Sequence, residues 1–366
     1  MAMKSSSFVP VLLPFAMLSL VLAVLTGLVR LGWGIPVSET AGQHGALMVG
    51  SFLGTVILLE RAVVFRNRWA LLAPALNGLS LPAFLLGWPV AGIGLLIAGS
   101  CSMALMTYLF LVRYRHGYYY LLFGGSVCLV IGHVLVLKTG FYPLAVPWWI
   151  AFLLLTIVAE RLELSRFLPI KSWQRLLLWG AIGLVVAGIV KPFHGFGQAL
   201  MGIGMIAVAA WLIRFDMAVK SLKKAGQPRY SGTMLLLGYG WLLLSGLLFA
   251  LPPVFPFAYD ASLHTFFAGF VFSMIFAHAP IILPGVLGRQ GVFYHPILYL
   301  GSIGQLLGLL VRTLGDWQGD IDWRMTGGLM QGVAIGVFLI CMLSIALRSR
   351  VTGNSIDKSA LLTHGF

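Results

Sequence analysis

Apolar residues run along this chain in blocks of about twenty, separated by short polar breaks, and this pattern predicts most of the architecture. A helix crosses a bilayer core of about 30 Å with about 20 mainly apolar residues. Twelve such stretches can be laid down, at roughly 8–30, 42–65, 70–87, 89–113, 118–138, 143–163, 173–191, 195–219, 231–251, 262–287, 294–314 and 325–348. The third, pinched between Trp69 and Trp88, is the weakest of them. The tenth carries His264 near its start and His278 deep inside. At helical spacing these two imidazoles share a face with Phe267, Val271 and Met274 and lie about 21 Å apart along the axis. Pro280 removes the donor for the carbonyl of Phe276, and Pro284 follows, which predicts a kink or break in the second half of this helix. Such a break is tolerated at membrane depth only where protein or a water-filled cavity surrounds it.

Composition agrees with the pattern. Of 366 residues, 60% are hydrophobic and 9% charged, and the mean hydropathy is +0.97. These values predict an all-α polytopic membrane bundle of about twelve transmembrane helices, a single transmembrane domain over residues 1–350 followed by a polar tail at 351–366. The run Phe8–Val29, flanked by Lys4, is longer than the apolar core of a signal peptide and is expected to stay as the first helix. Cys101, Cys128 and Cys341 lie inside apolar runs with no Cys-x-x-Cys, so neither a disulfide framework nor a thiolate cluster is indicated.

The net charge of +14 would suggest nucleic acid in a soluble chain. Here the basic residues fall in short loops, where they set topology and meet anionic lipid headgroups, so nucleic-acid binding is rejected. With both termini placed in the cytoplasm, only Arg30, Lys138, Lys191, Arg312 and Arg324 fall on the outer side, as the positive-inside rule requires. The expected location is a prokaryotic cytoplasmic membrane. Trp33, Trp88, Trp148, Trp149, Trp173, Trp317 and Trp323 fall near span ends as candidate interface anchors. Glu60-Arg61 and Glu160-Arg161 recur at the same depth of helices 2 and 6, four helices apart, which suggests three four-helix units at about 1–113, 114–219 and 230–348. Interfacial salt bridging accounts for the same pairs equally well.

Candidate chemistry rests on the histidines. His44 opens helix 2 and His264 opens helix 10, near the same membrane face. Two imidazoles from two helices at one depth suit both axial positions of a haem iron. Arg312 and Lys191, at outer helix ends, are placed to pair with haem propionates, although each taken singly also suits a cation reaching for the interface. His133 and His194 are candidates for a second metal site, copper included, with core hydrogen bonding or loop exposure as the plainer alternative. His116 and His295 border basic loops. A proton-coupled secondary transporter of a small solute also fits twelve spans, a broken tenth helix and intramembrane histidines.

Twelve spans with both termini inside, His44 and His264 near the outer ends of helices 2 and 10, and the signs of four-helix units resemble subunit I of the haem-copper oxidases. Within helix 6 and helix 7 the additional histidines of the respiratory members are missing. The stretch His264–Arg289 is more similar to the NnrS family, membrane proteins containing haem and copper and associated with nitric oxide metabolism. The resemblance implies haem, of b type, held by His44 and His264, copper as a further cofactor, and nitric oxide or another diatomic gas as a partner in a redox or nitric oxide response.

Overall fold

A computed structural model describes residues 9–65, 68–166, 168–191, 193–289 and 291–362. Among them there is no strand, and eleven helices are long and apolar enough to cross a membrane. This is an integral membrane protein. In chain order the helices are helix 1 (Val9–Arg30), helix 2 (Ala46–Phe65), helix 3 (Leu72–Leu85), helix 4 (Pro89–Tyr114), helix 5 (Gly117–Thr139) and helix 6 (Tyr142–Leu164). Helix 7 (Ser172–Val190), helix 8 (Gln198–Phe215), helix 9 (Gln227–Ala250), helix 10 (Ala258–Val286), helix 11 (Leu298–Gln318) and helix 12 (Ile321–Leu362) follow.

Three sequence expectations are corrected. The third stretch forms a helix of only 14 residues after a tight turn at Arg68–Leu71, about 21 Å at 1.5 Å per residue and short of a bilayer core. Helix 12 does not stop near residue 348; its backbone continues helically to Leu362, into the expected polar tail. Helix 10 stays α-helical through both prolines, over Phe272–Val286, and its irregular winding lies in the other half, a π-helix at Thr265–Val271. The carbonyl of Pro280 finds a donor in the Phe293 N–H at 2.9 Å, so this stretch keeps a partner from outside its own helix.

Local chemistry sets the helix ends. Helices 4, 6 and 9 open with proline in the first turn, where its missing N–H costs nothing. Helices 5 and 11 end on Gly140 and Gly319 in the left-handed conformation, at φ 64° and 74°. Helices 8 and 9 cross so closely that a Cβ on Gly202 would stand 2.5 Å from the Ala250 nitrogen.

Helices 2, 6 and 10 form the centre. In these, 67, 78 and 56% of the apolar stretch is buried, and no other spanning helix exceeds 50%. The enclosed helices are therefore four apart in the chain. The units are not separate bodies, because helix 4 packs along helix 5 and helix 8 along helix 9, across the expected boundaries. Helix 10 touches both helix 2 and helix 6. The tryptophans Trp69, Trp88, Trp173, Trp317 and Trp323 are exposed near helix ends, but Trp149 is fully buried against His133 and Tyr142. At that position helix 6 is enclosed by its neighbours, so Trp149 packs inward.

Candidate two-histidine site

His44 closes the turn Ser38–Gln43 and leads into helix 2. Its Nδ1 lies 2.8 Å from the carbonyl oxygen of Ala23 on helix 1 and 3.4 Å from Thr26 Oγ1. The ring packs on Gly27, where a Cβ would stand 3.0 Å from Cε1. His264 sits at the matching end of helix 10, with Nδ1 2.9 Å from the Asp260 carbonyl oxygen and 3.2 Å from its carboxylate Oδ1. An Nδ1–H donated to a carbonyl fixes the tautomer and leaves the Nε2 lone pair as the outward-facing donor atom. His44 lies within electrostatic range of His264, Arg30 and Arg312.

Asp260 ties this end together. Its Oδ2 accepts from Arg312 at 2.8 Å and from Arg324 at 3.3 Å. Arg324 also binds Asp316 and lies over the Phe257 ring, 3.5 Å from its centre. The Nε of Arg312 and the Oδ2 of Asp316 are buried without a hydrogen-bond partner. Gln43 accepts a hydrogen bond from the Tyr142 hydroxyl at 2.5 Å, so helix 6 also reaches this end.

Both histidine-bearing helices are wound irregularly just beyond the imidazole. Helix 2 is a π-helix over Ala46–Gly54 and helix 10 over Thr265–Val271. In each, a carbonyl of the π segment accepts from a side-chain amide on the following helix: Gly50 from Asn77 Nδ2 at 3.1 Å, and Ala268 from Gln305 Nε2 at 2.9 Å. Both amides are fully buried, and both keep an unpaired side-chain oxygen. Sequence reasoning missed them. The available signal was a lone amide in an apolar helix, which is costly unless bonded.

The other expected site residues lie apart. Lys191 caps helix 7 in an exposed position, and among the described residues no hydrogen bond or ion pair joins it to the histidines. Arg312 does belong to the cluster, but its guanidinium is engaged by Asp260. His133 is fully buried, 3.4 Å from Ser100 Oγ, with Nε2 unpaired and aimed at Gly50, where a Cβ would stand 3.1 Å away. The side chain of His194 lies outside the described residues. Among the described residues no three of His, Cys, Asp and Glu converge as a metal-binding group. A cavity of about 410 Å³ lies between helices 8, 9 and 10, beside Gln198, Tyr259 and Ser262, and neither His44 nor His264 lines it.

At the opposite end a second polar network joins the same central helices. Arg61 of helix 2 pairs with Glu160 of helix 6 and lies 3.9 Å from Glu60. Arg161 grips the Asp216 carboxylate at 2.9 and 2.8 Å, and Asp216 also accepts from Tyr239, Ser165 and the Ala218 N–H. His278 of helix 10 has Nδ1 2.7 Å from the Met274 carbonyl oxygen, and its Nε2 accepts from Arg161 at 3.3 Å. The recurring Glu-Arg pairs are thus at one depth, and one joins the other through the Arg61–Glu160 contact.

No curated protein and no solved structure matches the chain. Residues 9–347 match a family model described as a domain of unknown function, DUF8744. With nearly all of its length inside that match, the chain belongs to the DUF8744 family.

Proposed function

We propose that this protein binds haem between helices 2 and 10, with His44 Nε2 and His264 Nε2 as the axial ligands, and acts in a nitric oxide or redox response as NnrS-like proteins do. The observation that carries this reading is the state of the two rings. Each is held through Nδ1 by a carbonyl oxygen, 2.8 and 2.9 Å away, and among the described residues neither Nε2 has a hydrogen-bond partner, at the same end of two enclosed, mutually packed helices. A second-shell bond of this kind orients a ligating imidazole and raises its basicity. The donor set fits a bis-histidine haem; Arg30 and Arg312 lie near the rings and suit its carboxylates. Bound there, haem would supply one-electron chemistry, with gas binding available where one imidazole can leave. Copper has weaker support, from His133 alone. On this reading the histidine end faces away from the cytoplasm and both termini lie inside.

The test is an optical spectrum of detergent-purified protein, oxidised and dithionite-reduced. A Soret band that sharpens on reduction, and is lost in His44→Ala and in His264→Ala, supports the assignment. A colourless protein after haem supplementation contradicts it.

A second reading, a proton-coupled transporter, is favoured by one feature: central helices 2, 6 and 10 carry polar networks at both ends, which suits gates on either side of a shared path. Solute uptake by proteoliposomes under an imposed pH gradient distinguishes it.

A further inference from the structure

Helices 2 and 10 share a construction that neither their charge nor their apolar pattern announces. In both, a histidine at one end is separated from charged-network residues at the other by a π-helical segment: His44 from Glu60 and Arg61 across Ala46–Gly54, and His264 from His278 across Thr265–Val271. A π turn holds one residue more than an α turn, and one residue is about 100° of helical phase. Converting either segment to regular α-helix would turn its histidine by roughly that angle relative to the network at the far end.

A π segment leaves carbonyls short of their usual donors, and here the same remedy occurs twice. Asn77, on helix 3, donates to Gly50, and Gln305, on helix 11, donates to Ala268. Both are wholly buried, and both leave a side-chain oxygen unpaired, a burial that costs free energy unless the other half of the amide is used. The seat of Asn77 has no room for a side chain opposite it: a Cβ on Gly54 would stand 2.6 Å from Asn77 Nδ2.

We infer that Asn77 and Gln305 are positioning residues: each holds its neighbouring helix in π winding so that His44 and His264 face one another while the opposite ends of the same helices stay locked in the charged network. The inference rests on the two-histidine reading for its purpose but makes its own geometric claim.

The experiment uses the full-length protein with Cys101, Cys128 and Cys341 replaced by alanine. His44→Cys and His264→Cys are introduced together and cross-linked with a short bismaleimide. A control pair, Thr107→Cys with Ser126→Cys, spans helices 4 and 5, where the two hydroxyls are 2.9 Å apart and no π segment intervenes. In Asn77→Leu or Gln305→Met, close in shape but without the donor, cross-linking of the 44/264 pair should fall at least fivefold while the control pair cross-links as before. Unchanged 44/264 cross-linking in both variants overturns the inference, as does a 44/264 pair that fails to cross-link with both amides intact. Loss of both pairs together reports general unfolding and also counts against a positioning role. Haem spectra are recorded in parallel on the protein that keeps both histidines. If it is colourless while cross-linking responds as predicted, the haem reading falls and the positioning role stands.

Discussion

The two polar ends of the central helices are built from similar residues and differ in what is left over. At the Glu-Arg end, His278 has both ring nitrogens occupied, Nδ1 by the Met274 carbonyl and Nε2 by Arg161. At the histidine end, His44 and His264 make the same kind of Nδ1 bond to a carbonyl oxygen, and no described residue hydrogen-bonds to Nε2. A buried network whose charges are paired fixes structure, whereas an oriented imidazole with a spare lone pair has the donor atom that a ligand needs. The comparison teaches that depth and residue type alone do not sort the histidines. The second nitrogen separates His278 from His44 and His264.

The comparison can be broken most forcefully at the Glu-Arg end. Arg161→Met strands the Asp216 carboxylate in the bundle, and the loss should be about 3–5 kcal/mol in detergent thermal unfolding. Adding Asp216→Leu should recover much of it, since the cost comes from the unpaired charge. Glu160→Gln weakens the tie between helices 2 and 6 and should cost about 2 kcal/mol in the same assay. At the histidine end, Asp260→Asn removes the carboxylate shared by His264, Arg312 and Arg324 but keeps the Asp260 carbonyl. Its expected signature is haem affinity lowered about 10–100-fold in a titration. Removing either outer imidazole should change stability least, by about 1 kcal/mol or less.

Much of this was legible in the sequence because a membrane helix announces itself by length and hydropathy. The repeated Glu-Arg pair pointed to helices 2 and 6, and sorting the histidines by depth singled out His44 and His264, whose rings are held alike through Nδ1. The winding of helices 2 and 10 stayed hidden for a physical reason. A π segment changes the winding by one residue without disturbing the apolar content, so Ala46–Gly54 and Thr265–Val271 read as ordinary helix. The even spacing of His264 and His278 on a single α-helical face was therefore a false inference. Asp216 and Tyr239 were hidden for a different reason: their partner Arg161 is far away in sequence, and a lone Asp at a helix end reads as a loop residue. Lys191 illustrates the reverse error, a cation at the expected depth whose helix lies outside the central three.

The central claim is that His44 and His264 are ligands and His278 is not. A haem titration of purified wild type, His44→Ala, His264→Ala and His278→Ala tests it directly, followed by the Soret band and its shift on reduction. The account predicts a six-coordinate low-spin spectrum in wild type and in His278→Ala, and its loss in the other two. A spectrum that survives both outer substitutions, or that disappears with His278→Ala in protein that remains folded, would contradict it.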